Sequence, residues 1–371
     1  MNILFMGDYS GYHATLAKQL TAMGHNCVVV SEGSRVMDTA RDIDLKRKPG
    51  FFNSVKYLAE SVKLVNSLKG FDVVQFINPG YLHLRPGKLK YLFKTLKKNN
   101  GTLVLSMAGT DSLHARSLLY DNLFRYSEYL TGDKPTPYAV SHRDKIDSWL
   151  QNGLVDYCKF FYDSIDGAVT ALYEYQITGE KNLPGKPVVY GGIPIDVGSY
   201  IFKEFERENG RHLNILVAIK SEMMEFKGTD RLLSAARKVE TLYPDKCKVT
   251  IAQDMKLTDY LETVDKADVV LDQIYSYTPA TNALQSMAKG KIVISGGESE
   301  YYDFIGETEL RPIVNAIPDD TALVEIIEKL VLTDDNTLKK LSQQGRKLVE
   351  KHNSSEIVAQ NFLKAWEKMM K

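Results

Sequence analysis

The chain has 371 residues, 44% of them hydrophobic and 25% charged, with 47 Lys and Arg against 47 Asp and Glu. That length exceeds what one hydrophobic core supports, so two domains of roughly 150–200 residues are expected, and the even charge balance argues against a dedicated nucleic-acid binder. Cys27, Cys158 and Cys247 are far apart and show no CxxC or Cys/His spacing, which implies buried, inert thiols in a reducing compartment and no metal cluster.

The first seven residues lack a basic stretch and are too short for an export signal, so 2–6 is expected to be a strand. No window approaches the roughly 18 apolar residues of a membrane span, which implies a soluble or peripheral protein. A glycine turn over 7–11 leads into an apolar-periodic helix over 12–23, closed by Gly24, and then a strand over 27–31. Further apolar runs at 72–77, 102–106, 167–171 and 187–190 alternate with helical patterns, the signature of a parallel sheet covered on both faces. The alternation restarts near residue 210, with strands at 213–218, 247–252, 268–271 and 291–295 and helices at 229–242, 257–265 and 280–289. Three helices over 319–332, 335–351 and 354–370 end the chain. The charged stretch 202–211 is the expected linker. One segment breaks the rhythm: 111–154 is long and rich in Tyr, His and Arg, as expected of a lid or acceptor-facing excursion, or of a plain surface insertion.

Three loops could carry chemistry. The first strand-to-helix turn, Gly7 to His13, is not GxGxxG, so a dinucleotide fingerprint is missing. Gly11 nevertheless stands where backbone amides can meet a ligand oxygen, and His13 falls in the helix's first turn, either facing a ligand or lying on the surface. In the second half, Lys220 and Lys227 bracket the loop after the strand 213–218, at the edge where open α/β sheets bind ligands. They could neutralise a diphosphate leaving group, or be solvated loop lysines. After the strand 268–271, Thr278 and Pro279 form an expected N-cap and N1 pair, which would aim the amides of Ala280, Thr281 and Asn282 at a phosphate, with Tyr275 and Tyr277 beside them.

In order and spacing these segments resemble the GT-B glycosyltransferases, in particular the retaining family 4, over nearly the full length. The resemblance is carried by the first strand with its glycine turn, GHNCVVVS at 24–31, FDVVQF at 71–76, GTD at 109–111, VVYGGIPID at 188–196, KGTDRLLSAA at 227–236 and ALQSMAKGKIVIS at 283–295. It implies two Rossmann-like doubly wound domains facing across a cleft. Residues 1–200 would form the acceptor-side domain with 355–371 crossing back onto it, and 201–354 the donor domain. It further implies that Lys220 and Lys227, with Thr281 and Asn282, hold the donor diphosphate, and that Tyr277, Thr278 and Gln285 meet the donor sugar and nucleoside. The nucleobase would lie near 252–255, and Gly11, His13 and Asp111 on the acceptor side. The donor would be a UDP- or GDP-linked sugar, with no bound cofactor or metal. The acceptor would be a saccharide or lipid-linked saccharide, in cytoplasmic assembly of cell-surface polysaccharide.

This chain departs from that pattern where the family carries two glutamates, which are Tyr277 and Gln285 here, and where its His before Gly-x-Asp is Ala108. The departures leave open a degenerate sugar-nucleotide-binding protein or a GT-B epimerase, and no residue is singled out as catalytic. The single Asp-x-Asp, 42–44, sits in a charged stretch and is not expected to bind metal. Finally, 73–110 has no acidic residue, while Arg85, Lys88, Lys90, Lys94, Lys97 and Lys98 interleave with Leu89, Leu92, Phe93 and Leu96. Residues 85–98 are therefore either a helix able to rest on an anionic membrane surface or one with its apolar face in the core.

Overall fold

The computed structural model describes residues 1–34, 38–207 and 211–370. Among the described residues fourteen strands follow in chain order: β1 Asn2–Met6, β2 Asn26–Ser31, β3 Ile43–Asp44, β4 Val73–Phe76, β5 Thr102–Met107, β6 Leu130–Thr131, β7 Lys134–Pro135, β8 Gly167–Thr170, β9 Val188–Tyr190, β10 Leu213–Ile219, β11 Cys247–Gln253, β12 Val269–Leu271, β13 Ile292–Ser295 and β14 Val314–Asn315. Contacts divide the chain into two compact units. The first comprises residues 1–123, 143–194 and 355–371, the second 124–142 and 195–354. The second unit thus begins at 195 and takes in part of the long excursion, 124–142. The expected linker includes 208–210, which lie outside the described residues.

The first unit is built on a parallel sheet of order β3-β2-β1-β4-β5-β8-β9. Its middle strands are apolar at every position or nearly so, because helices cover both faces: Ile3, Leu4, Phe5 and Met6 are fully buried. One face packs Phe76, Phe93 and Phe161, whose rings lie 4.8–5.5 Å apart. β3, within the charged Asp42–Asp44 stretch, was not expected as a strand; two residues are too few to show a period, yet they pair with Val30 and Ser31.

The C-terminal helix Ser355–Met369 belongs to this first unit, as the resemblance implied. Its buried Val358, Ala359, Phe362, Ala365 and Trp366 follow a helical period along one face, with Phe362 edge-on to Tyr12 at 6.2 Å. A polar chain ties it to the sheet. The Trp366 indole N–H donates to Gln75 Oε1 (2.7 Å), Gln75 Nε2 to Ser106 Oγ (2.9 Å), and the Ser106 hydroxyl to His13 Nε2 (2.8 Å), while His13 Nδ1–H donates to the Gly7 carbonyl (2.7 Å). Trp can only donate and a carbonyl can only accept, so the two ends set the direction of every bond between them.

The second unit carries the parallel sheet β11-β10-β12-β13-β14. Leu213, Ile215, Val217, Leu271 and Ile294 pack on one face against Leu232, Ala236, Leu323 and Ile327. Leu216 and Val270 face Val264 and Ala267 on the other. The helices Thr229–Leu242, Leu257–Lys266 and Thr281–Ala288 lie where the apolar periodicity put them, within two residues.

Trp366→Phe keeps an aromatic ring but leaves the buried Gln75 oxygen without its donor, which costs about 1–3 kcal/mol. A denaturant midpoint indistinguishable from that of the parent chain would show that the bond adds nothing to the first unit.

Candidate functional site in the second unit

In the second sheet the chain runs from β10 to β11 on one side and then returns to place β12 on the other side of β10. The loops leaving the carboxyl ends of β10 and β12 therefore diverge, which opens the crevice where such sheets hold ligands. The β10 loop delivers Lys220 and Lys227; the β12 loop delivers Asp272 and, at the start of the next helix, Asn282.

Lys227 Nζ lies 2.9 Å from Asp272 Oδ1, with side-chain exposures of 28% and 1%. Asp272 also accepts from Asn282 Nδ2 (3.1 Å) and Ser295 Oγ (3.2 Å), and the Asn282 amide oxygen accepts from the Tyr260 hydroxyl. A carboxylate buried this deeply requires a cation and hydrogen-bond donors, so this cluster fixes the Lys227 ammonium at the mouth of the sheet. Gly228 makes the geometry possible. Its φ is +68°, and a Cβ there would meet Ile274 at 2.5 Å. The Ile274 N–H donates to the Lys227 carbonyl at 3.0 Å, joining the two loops. Lys220 is exposed, close enough to Asp254 to help hold that carboxylate below its ordinary range, after the larger effect of the Ser221 hydrogen bonds. Sequence reading passed over Asp272. Its signal was present, as a lone acid directly after the apolar run of β12, at the strand bordering the switch.

The helix Thr281–Ala288 opens beside this cluster, but not with the expected cap. Its N-cap is Ala280, without a side-chain bond, and Thr278 and Pro279 lie outside it. The Thr278 carbonyl is held by Gln273 Nε2 and Ser276 Oγ, and a Cβ on Gly296 would meet the Ser276 carbonyl at 2.1 Å. Those contacts keep the chain extended for two more residues. The helix's own ladder begins with Leu284 N–H to the Ala280 carbonyl, so the amides of Thr281, Asn282 and Ala283 are the ones that precede it.

Tyr277 is buried beneath residues 124–142. Its hydroxyl accepts from the Arg125 backbone N–H (2.7 Å), and its ring lies 5.4 Å from Phe124, 4.8 Å from Tyr126 and 5.1 Å from the Arg125 guanidinium. Arg125 pairs with Glu298 and Glu300, and Tyr126 donates to Glu298 at 2.5 Å. At the other end Tyr138 packs edge-on to Phe226 at 5.1 Å and Ser141 donates to Glu225. The segment is thus a strap across the loops that follow β10, β12 and β13, and not a loose lid. The excursion 111–154 as a whole also holds four helix starts, at Ser112, Pro137, Arg143 and Asn152. Gln285 is half-buried in the middle of the Thr281–Ala288 helix.

Neither a protein-family model nor a curated protein sequence matches this chain. Solved structures do. The sucrose-phosphate synthase of Thermosynechococcus elongatus is similar at 13% identity and a TM-score of 0.64, over 100% of this chain and 99% of that one. Anabaena HepE in complex with UDP-glucose is similar at 11% identity and 0.61, over 99% of each chain. A glycosyltransferase from Rickettsia africae is similar at 15% identity and 0.58, over 100% and 99%. The chain has the GT-B fold.

In the first Rossmann-like unit of this GT-B chain, the residues expected on the acceptor side are committed elsewhere. His13 is fully buried with both ring nitrogens bonded, and burial pushes it down to about 3, so it stays neutral. It is neither ligand-facing nor on the surface. The turn at Gly11 is closed from within: Asp8 accepts from the His13 N–H (2.8 Å) and from Thr39 Oγ1 (2.6 Å). Asp111 caps the helix Ser112–Tyr120, accepting from the amides of Leu113 and His114 and from the Tyr162 hydroxyl. Burial raises its affinity for a proton despite those bonds. His114, bonded to Thr178, is also pushed down to about 3 by burial. Leu89, Leu92, Phe93 and Leu96 are buried in the core, Lys90 and Lys94 lie over the Phe160 ring, and Lys97 donates to Ser164. The leucine and phenylalanine face of the helix Pro86–Asn99 is therefore turned into the core.

Removing Lys227 strands the buried Asp272 carboxylate, so Lys227→Ala is expected to destabilise the second unit by about 3 kcal/mol. Adding Asp272→Asn should recover most of that loss; a double variant as unstable as Lys227→Ala would refute the pairing. The two histidines set a pH dependence. Both bind protons near pH 6.5 when unfolded and only near 3 when folded, so their contribution is complete above 6.5 and lost as pH falls toward 3. Between pH 7 and pH 5 each accounts for about 2 kcal/mol of lost stability, so His114→Gln should visibly shrink the shift in midpoint between those pH values. An unchanged shift would mean that His114 is charged in the fold.

Proposed function

We propose that this chain is a glycosyltransferase of the retaining family 4 type, which transfers a hexosyl group from a UDP- or GDP-linked sugar. The observation that carries this reading is the placement of Lys227, held by Asp272, beside the amides that open the helix Thr281–Ala288. A departing nucleoside diphosphate gains negative charge as the glycosidic bond breaks, and fixed cations and amides stabilise it without rearranging. Lys220, exposed on the same loop, adds a second charge, so the leaving group is met without a metal. The nucleobase lies along 252–255, where Gln253 and Asp254 are exposed. Gln285 faces the nucleoside side, and Thr281 and Asn282 the phosphates. HepE, solved with UDP-glucose, supports this choice of ligand class. The acceptor is a saccharide or lipid-linked saccharide, and the setting is cytoplasmic assembly of surface polysaccharide.

Tyr277 favours one rival reading. The family's acidic contact with the donor sugar is replaced here by a phenol whose hydroxyl is already bonded, as in a protein that binds a sugar nucleotide without turning it over. Donor hydrolysis and transfer measured with and without acceptor oligosaccharides separate the two: binding without either reaction favours the rival.

Thermal unfolding with a panel of nucleoside diphosphates and their sugars tests the ligand class. A ligand at a hundred times its Kd should add about 2.7 kcal/mol to apparent stability. Lys220→Ala is the cleaner probe of the diphosphate contact, because Lys227 also neutralises Asp272. It should weaken binding of the diphosphate far more than that of the nucleoside. Equal losses for both, or no stabilisation by any member of the panel, would remove the diphosphate site.

A further inference from the structure

Phe52 and Phe51 are 86% and 78% exposed, and Val55 one turn on is 54% exposed. They stand at the start of the helix Phe51–Ser67 in the first unit, whose inner face is Tyr57, Ser61 and Val65. The two phenylalanine rings touch each other edge-on at 5.8 Å. Residues 46–50, just ahead of the helix, are all exposed, and from 45 to 59 there is no acidic residue while Lys46, Arg47, Lys48 and Lys56 are present. Arg47 braces this knuckle by donating to the His83 carbonyl (2.9 Å) and to Ser54 Oγ (2.8 Å).

Two aromatic rings projecting from a braced turn among cations are poorly suited to a protein partner's apolar pocket, since interface cores are depleted of lysine. A second copy placed symmetrically on the patch would set like charges against each other. An anionic bilayer satisfies both halves of the patch: the rings enter the boundary between headgroups and acyl chains, and the ammonium groups meet phosphates. Among the described residues no helix is long and apolar enough to cross a membrane, so such a contact is peripheral. We propose that the knuckle 46–55 docks this chain on a membrane surface bearing anionic phospholipid, with Phe51 and Phe52 as the inserted side chains.

The test is co-sedimentation of the full chain with vesicles of phosphatidylcholine alone and with phosphatidylglycerol added. Binding is expected only with the anionic lipid, weakening as salt is raised. Phe51→Ser with Phe52→Ser should lower it at least about tenfold, and each of Lys46→Gln and Lys48→Gln about fivefold. All are surface changes, and an unaltered melting temperature confirms the fold. Lys94→Gln with Lys98→Gln, on the helix Pro86–Asn99, should leave it nearly unchanged. The proposal is overturned if the parent ignores anionic vesicles, if the Phe variants bind as the parent does, or if the Lys94 and Lys98 pair matters as much as the rings. Sedimentation velocity showing a dimer that the Phe variants dissolve would assign the patch to a second copy instead.

Discussion

A buried carboxylate cannot stand alone, and Asp272 is the group around which the second unit's ligand edge is arranged. Its oxygens draw in Lys227 from the β10 loop, Asn282 from the first turn of the following helix and Ser295 from the end of β13. Three loops that a parallel sheet merely leaves near one another are thereby joined. Remove that carboxylate and the ammonium, the helix start and the end of β13 lose their common anchor. The pairing also limits what Lys227 could do for an anion under the proposed function, because much of its charge is answered from below and a diphosphate bound there would meet only its outward side. On that proposal the neighbouring amides and Lys220 would answer more of the diphosphate's charge than the sequence pattern suggests.

The strap extends the same logic. Glu298 follows the paired glycines after β13 and receives both Arg125 and Tyr126, while Tyr277 on the β12 loop receives the Arg125 amide. The Glu298 N–H in turn donates to the Tyr277 carbonyl at 3.1 Å. Tyr277 is therefore part of a small aromatic and ionic lock on its own unit. Its ring is spent on Phe124, Tyr126 and the Arg125 guanidinium, so no empty space is left at this position.

Much of the fold was legible because it rests on continuous apolar runs: β1, β10 and the helix Thr229–Leu242 fall where those runs fall. Short pairs such as β3 and β14 were not, since two residues carry no period. The site was legible as loops and illegible as contacts. Lys227 could be placed at the sheet's mouth from its position, but its pairing with a residue 45 positions away could not. His13 offered the same surface cues as a ligand, and its buried bond to Ser106, 93 residues on, could not be read from them. The Thr278–Pro279 signal obeyed the local rule for a helix start and was overruled by Gly296, whose closeness to Ser276 is a tertiary fact. The resemblance to family 4 likewise left Arg125, Tyr126 and Glu298 unseen, because their contacts span more than 170 residues.

The two sheets repeat one design and differ in the charge they place at the corresponding turn. Both bring a strand, a turn and a helix start to a switch in strand order. In the first unit that turn carries an acid: Asp8 folds back onto the amide of His13, Thr39 closes over its other oxygen, and burial raises its affinity for a proton. An external phosphate would have to displace a tethered carboxylate, which competes as an intramolecular partner. In the second unit the corresponding turn carries lysines, and its acid sits one strand over, low enough to hold Lys227 without covering the amides of the helix that follows. The same backbone geometry thus presents a carboxylate in one half and lysines beside helix-opening amides in the other, through the placement of two aspartates.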